Sequence, residues 1–355
     1  MTSDPQTSTV NGSDAVAPFA PGRTGPWLCA EAQRMIGPSY RRAIGILPAE
    51  LGRVARYHAG WWDDEGRARA RAGKAVRPAL VLASARAAGA DRGVPVPEVV
   101  EAAVAVELAH DFTLLHDDVM DGDRTRRGHP AAWTVFGTSL GILAGDALLV
   151  LALKVVDNRA GAPVLTQALL ELCAGQAADL AFETRQDVGL PECLAMAEAK
   201  TGALLGAACQ LGALAAGAEP AAAHCYRTFA RQLGVAFQLV DDLLGVWGDP
   251  IATGKPASSD LASRKKSLPV VAALTSGTAA GERLARMYQR EQDMDEHAIA
   301  HAAELIKAAG GKTWAQQEAE RRIVAALDAL TAAHPDPAAT TDLHALAALI
   351  TRRDR

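Results

Sequence analysis

From Cys29 onward, apolar residues recur three and four positions apart, and the strict alternation of a half-buried strand is almost absent. The spacing predicts helices over 78–90, 96–120, 139–158, 163–182, 191–217, 219–247, 265–276, 278–290, 296–309, 312–332 and 341–352. Glycine and proline mark the joints at Gly89, Gly93, Pro95, Gly161, Pro163, Gly189, Pro191, Gly217 and Pro220. No repeat of fixed period interrupts the series. The pattern predicts one all-α bundle of about a dozen helices over residues 28–355. Residues 1–27 are rich in Ser, Thr, Pro and Gly and have no apolar period, so they read as a disordered tail, either a plain leader or a docking segment for a partner.

Composition narrows the function. Of the 355 residues, 49% are hydrophobic and 22% charged, as in an ordinary globular protein, and the length supplies ample core. A net charge of −5 leaves no broad basic field, which argues against nucleic acid as a partner. The five cysteines form no CxxC pair and have no histidines at zinc-ligand spacing, which suggests reduced thiols in the cytoplasm. No secretory signal is visible. The longest uncharged stretch, Thr201 to Ala218, is too rich in Ala and Gly to read as a membrane span and is expected to be a buried helix.

The chemistry concentrates at LLHDDVMDGDRTRRGHP, Leu114 to Pro130. On a helix, Val104, Leu108 and Leu115 form an apolar stripe, while His110, Thr113, Asp117 and Asp121 share another face with Asp118 beside them. Carboxylates one turn apart repel unless a cation lies between them, and oxygen ligands of this kind suit magnesium. The alternative is a solvated helix end, and on these aspartates alone both readings stand. Arg126 and Arg127 tilt the balance, because arginine stays charged and grips phosphate bidentately. A second stretch, FQLVDDLL over Phe237 to Leu244, again ends an apolar helix in acids, Asp241 and Asp242, with Gln238 nearby. Basic residues follow it at Lys255, Lys265 and Lys266. If the two acidic ends face each other, they would hold magnesium and a diphosphate from both sides.

With both segments in hand, the chain resembles the trans-isoprenyl diphosphate synthases, or polyprenyl synthetases. DDVMDGDRTRRG is similar to that family's first aspartate-rich motif, and VDDLLGVWGD with TGKP to its second. GKAVRPAL, ILAGDALL, GQAADL and KTGALLG extend the resemblance over about residues 30 to 352. The resemblance implies an all-α terpenoid-synthase bundle around a deep central cavity, commonly homodimeric. It implies magnesium at Asp117, Asp121 and Asp241, supported by Asp118 and Asp242. Arg126, Lys200, Thr201, Gln238, Lys255 and Lys265 match contacts to the allylic diphosphate; Lys74, Arg77, His110 and Arg127 match the pocket for isopentenyl diphosphate. The implied product is a linear all-trans prenyl diphosphate. Phe112, with small Thr113 beside it, resembles the geranylgeranyl-forming pattern, in which the ring limits chain growth.

The sequence departs from the family in two places: Ala75 stands where a basic residue is usual, and Gly245 where an aspartate is common. Gln176 and Asp179 read as an ordinary polar face outside the metal site. GTSLG, Gly137 to Gly141, matches a nucleophile elbow only in letters, since the chain has no α/β sheet to carry one, and Ser139 is expected to cap a helix. Farnesyl or longer products, a terpene cyclase on the same fold and a non-catalytic partner subunit are the alternatives. Retention of the isopentenyl pocket speaks against the cyclase, and the complete first motif against the subunit.

Overall fold

The structure, a computed structural model, describes residues 23–68, 73–90, 96–156, 160–248, 259–289 and 294–351. Most of the expected tail, and Lys255 with its TGKP motif, lie outside the described residues. The chain opens with two helices ahead of the first predicted one, α1 (Gly25–Gly45) and α2 (Ala49–His58). α1 starts inside the predicted tail. Thr24 caps it by accepting the Trp27 N–H, and Leu28, Ala32, Ile36, Tyr40 and Ile44 bury one stripe at four-residue spacing.

There follow α3 (Val76–Ala87), α4 (Pro97–Met120), α5 (Ala132–Phe136), α6 (Thr138–Val155), α7 (Gly161–Thr184), α8 (Leu190–Ala197), α9 (Ala203–Ala215) and α10 (Pro220–Trp247). The later helices are α11 (Ser259–Ala262), α12 (Leu268–Leu274), α13 (Ala279–Tyr288), α14 (Glu296–Ala308), α15 (Gly311–Ala332) and α16 (Pro337–Thr351). The helix predicted over 191–217 is interrupted: α8 and α9 are joined by a π-turn over Glu198–Gly202. Such wider turns are rare and gather at functional sites. Among the described residues the only paired strands are Thr125–Arg126 and His129–Pro130, a minimal antiparallel hairpin. Its two turn residues, Arg127 and Gly128, both have positive φ, 53° and 76°. That is the backbone of a two-residue hairpin turn whose twist suits the strands.

α4 packs against α3, α6 and α9, and α10 lies between α9 and α15, so the two acid-tipped helices run through the centre of the bundle. α3 is buried continuously from Pro78 to Ala87, as expected of a helix with neighbours all round. It meets α9 backbone to backbone. A Cβ at Gly212 would collide with the Val81 carbonyl oxygen and lie 2.9 Å from its carbon. Gly212→Ala is therefore expected to cost about 1–3 kcal/mol, read as a lower midpoint in urea unfolding.

Ser139 sits in the first turn of α6, and Gly137, at φ 88°, precedes the helix in the cap position. The expected serine cap is thus replaced by a glycine whose left-handed backbone the turn requires. α6 is the one described helix long and apolar enough to cross a membrane, with mean hydropathy 1.7, and a third of it (33%) is buried. Its outer side carries Ile142, Leu143 and Val150, exposed by 39%, 52% and 64%. All five cysteines are unpaired, and Cys29, Cys193 and Cys209 are buried.

Candidate active site

One cavity of about 1150 Å³ runs into the bundle between α3, α4, α7, α9 and α10. α4 contributes His110, Thr113, Leu114 and Asp117 to its wall, the face that the three- and four-residue spacing predicts. Asp121 follows the last turn as the C-cap, exposed, with its N–H donating to the Asp117 carbonyl at 2.8 Å. A helix C-terminus is a poor place for negative charge. Burial raises the Asp117 carboxyl and partial desolvation that of the exposed Asp121; Asp179 adds to both, and Lys200 opposes both.

α10 answers with Phe237, Asp241 and Asp242 on the wall. Asp242 is buried, with both oxygens engaged: one accepts from the Gln238 amide and the other from the Leu268 N–H, each at 2.8 Å. Burial lifts its carboxyl to about 7, against the pull of Lys265 and these two donors. Gln238 in turn accepts from the Thr201 hydroxyl at 3.0 Å. Lys265 ties the two acidic sets together. Burial alone would lower its ammonium, but Asp242 foremost, then Asp179, Asp260 and Asp121, hold it above the ordinary lysine range. The two acidic ends therefore share one counter-charge across one cavity.

The same cavity is lined by Lys74, Arg77, His110, Arg126 and Arg127. Burial, with Arg127 adding, drops the Arg77 guanidinium to about 10 although Glu107 opposes it, and burial with Arg77 drives His110 well below its usual value. Arg77 Nε and His110 Nδ1 have no hydrogen-bond partner among the described residues. The buried Arg77 N–H left this way is costly, and an anion would satisfy it. Ala75, in the left-handed region at φ 49°, lines the same wall without a charge. Gly73 beside it lets the Arg127 guanidinium approach, since a Cβ there would come within 2.9 Å of Nη1. Behind His110, the buried Asp111 carboxylate accepts from the Tyr40 hydroxyl and lies 3.5 Å from His58 Nε2.

Four expected site residues are not on the cavity wall: Asp121 at the C-cap of α4, Gln238 between Thr201 and Asp242, Asp118 and Phe112. Asp118 is 1% exposed and off the cavity wall; its Oδ1 accepts from Arg126 Nε at 2.7 Å and from Nη2. It continues the buried Leu108–Leu115 stripe of α4, so it anchors an arginine and does not face the cavity. Phe112 is also off the wall. It is buried with its ring edge-on to His116, 4.9 Å between centroids, and His116 Nε2 is 3.0 Å from the Ile142 carbonyl oxygen of α6. The side chain that α4 presents beneath Asp117 is Thr113.

Three further residues join the site. Asp179 binds Lys200 at 2.7 Å, giving that lysine the partner its apolar helix demands, and Gln176 lines the wall one turn before it. The GQAADL string was the available signal. Asp260, from α11, lies where a side chain at Gly245 would go: a Cβ there would come 2.7 Å from its carboxyl carbon. A carboxylate thus reaches the wall despite the missing aspartate at 245. Among the described residues no three acids or histidines form a ready-made metal cluster.

A helical shell around a deep cavity, with carboxylates on two helix ends and an unpartnered arginine donor on the same wall, fits the isoprenoid-synthase class of enzyme. The chain belongs to the polyprenyl synthetase family, whose pattern matches residues 67–306. It is 44% identical over 342 residues to the geranylgeranyl diphosphate synthase of Mycobacterium tuberculosis, covering 94% of this chain and 95% of that protein. It is also 46% identical over 307 residues to the (2E,6E)-farnesyl diphosphate synthase of the same organism, with 84% of each covered. The crystal structure of a polyprenyl synthetase from Streptomyces coelicolor A3(2) superposes with a TM-score of 0.85 at 42% identity, over 91% of this chain and 98% of that one.

Proposed function

We propose that this enzyme condenses isopentenyl diphosphate with an allylic diphosphate (dimethylallyl, geranyl or farnesyl) to a linear all-trans prenyl diphosphate, with geranylgeranyl diphosphate as the product. The observation that carries this reading is the pairing within one cavity. Asp117 and Asp241 line one cavity together with Lys265, and the Arg77 Nε donor stands unpartnered on the same lining beside His110.

The oxygen donors fit magnesium: Asp117 and Asp121 are held up by desolvation with only lysine and arginine nearby to offset them, and a cation would relieve both. Asp117, Asp121 and Asp241 are the residues that would hold it. The chemistry supplied by bound magnesium is neutralisation of charge on the departing diphosphate. Lys200, Arg126 and Lys265 add positive charge around the same leaving group, and Thr201 and Gln238 stand beside it. The allylic carbon–oxygen bond breaks, the diphosphate leaves with the bonding pair, and an allylic cation remains. Arg77, Lys74, His110 and Arg127 orient isopentenyl diphosphate so that its double bond attacks that carbon. A proton then leaves the new chain, with the released diphosphate as its acceptor. Leu172, Leu204, Leu205 and Phe237 line the apolar reach of the cavity and keep water from the cation.

The twenty-carbon product is supported by the small Thr113 on the wall and by similarity to a geranylgeranyl diphosphate synthase over nearly the whole chain. Thr113→Phe places a ring into the cavity and is expected to shorten the main product by at least one isoprene unit. Phe112→Ala, off the wall, leaves the distribution unchanged. Mass spectrometry of the products from each starter in turn tests both. A dominant C20 diphosphate supports the reading, and a dominant C15 species from the wild type overturns the assigned length. The exposed apolar side of α6 supports pairing with a second copy, which sedimentation would detect as a dimer.

A further inference from the structure

Lys200 and Thr201 are adjacent in sequence, yet both side chains line the cavity, one bonded to α7 through Asp179 and the other to α10 through Gln238. They sit inside the π-turn, where the wider coil disrupts regular helical hydrogen bonding and needs support from outside. Two glycines let neighbouring helices press directly on its backbone. A Cβ at Gly175 of α7 would collide with the Lys200 backbone nitrogen and lie 2.9 Å from Lys200 Cα; one at Gly234 of α10 would lie 2.6 Å from Gly202 Cα.

Away from the cavity, charges lock the same turn. Arg231 of α10 donates from Nε to Glu198 Oε1 at 3.0 Å, with Nη2 2.9 Å from the same oxygen. Glu198 is the first residue of the π-turn. The other arm of Arg231, Nη1, reaches Glu171 Oε2 on α7. Glu171 is held in place by Arg227 at 2.9 Å and Gln167 at 3.1 Å. The Arg231 stem crosses α9 at Gly206, where a Cβ would come 2.6 Å from its Cγ. One guanidinium thus fastens α7, α10 and the start of the turn together. Arg231, Glu171 and Glu198 are absent from the cavity wall. Planar, forked pairing of this kind fixes geometry as well as charge, which a lysine would do only in part.

We propose that Arg231, gripped by Glu198 and Glu171, is a positioning residue that holds the π-turn in register so that Lys200 and Thr201 meet the allylic diphosphate. The proposal rests on the condensation reading above. Its test compares wild type with Arg231→Met, Arg231→Lys and the isosteric Glu198→Gln. Each is assayed for steady-state kinetics, for binding of an unreactive allylic thiolodiphosphate and for thermal melting. A small displacement of a positioning turn can cost up to ~100-fold, so Arg231→Met is expected to weaken analogue binding and raise the allylic KM by about tenfold, with kcat falling as well. The isopentenyl KM, set by Lys74, Arg77, His110 and Arg127 away from the π-turn, stays within about twofold of wild type. Arg231→Lys recovers part of the loss, and Glu198→Gln reproduces it even if Arg231→Met folds poorly. A lower melting point with both KM values changed equally, or with neither changed, overturns the proposal. A wild type that forms no prenyl diphosphate would instead overturn the condensation reading beneath it.

Discussion

Asp117→Ala is expected to abolish prenyl transfer, by at least ~1,000-fold in kcat/KM, while the helical circular-dichroism spectrum stays that of the wild type. Asp117 is the carboxylate that α4 brings to the cavity wall, which Asp241 also lines, and Lys200 acts on it. On the proposed reading it would help hold the magnesium that offsets charge on the departing diphosphate. The fold does not depend on Asp117. Burial raises its carboxyl above the ordinary value, with Asp121 and Asp179 adding to the effect and Lys200 and Arg126 opposing it. The native state therefore binds its proton more tightly than the unfolded chain does, so the group weakens the fold at pH values above its unfolded value near ~4. Removing it is expected to leave the melting temperature at pH 8 equal to or above that of wild type. The difference should vanish as pH falls below ~4. An active Asp117→Ala enzyme would sink the assignment of the first acidic motif.

Asp118→Ala, one residue along, is expected to behave in the opposite way and lower stability by about 2 kcal/mol. Its carboxylate is 1% exposed and holds the Arg126 guanidinium through two nitrogens. Without it, Arg126, with only 29% of its side chain exposed, keeps just the distant Asp123 carboxylate at 3.9 Å. A charged donor stranded at the cavity edge is costly, and it is no longer aimed at the diphosphate. Activity is expected to fall by roughly 10–100-fold, less than for Asp117→Ala, because one phosphate contact is misplaced and the rest survive. Urea unfolding of the two variants side by side separates the roles. Equal midpoints for Asp117→Ala and Asp118→Ala would contradict the division of labour between these neighbours.

That division was partly legible in the chain. The stripe of Val104, Leu108 and Leu115 continues at three- and four-residue spacing to Asp118, so the periodicity already turned Asp118 inward and Asp117 toward the cavity. Tracing faces placed Asp117 with His110 and Thr113, while a supporting metal role for Asp118 came from the family resemblance and not from its face. The same tracing separates Thr113, on the wall, from Phe112, against His116. The buried stripe of α1, from Leu28 to Ile44, was likewise present at regular spacing.

Other features could not be read from local pattern. The π-turn at Glu198–Gly202 sits in a segment predicted as one helix over 191–217, where Lys200 and Thr201 interrupt the apolar residues without signalling a wider turn. Gly175 and Gly234 of other helices and Arg231 press on it from outside. Asp179 and Asp260 reach the site because α7 and α11 carry them there, one to Lys200 and the other into the space above Gly245. Pairings across 15 or more residues are a property of the packed bundle; GQAADL marked Asp179 without its partner, and Asp260 does not stand out in its own helix.

The central claim is that two acidic helix ends and one anion pocket make a single condensation site. The most direct measurement is diphosphate release by the purified wild-type enzyme with isopentenyl and allylic diphosphates, supplied together and separately, with magnesium or with a chelator. The account predicts stoichiometric release of diphosphate and a longer linear prenyl diphosphate only when both substrates and magnesium are present, with activity restored when magnesium is returned after chelation. Release from the allylic substrate alone with a cyclic hydrocarbon product, or full activity in the presence of chelator, would contradict it.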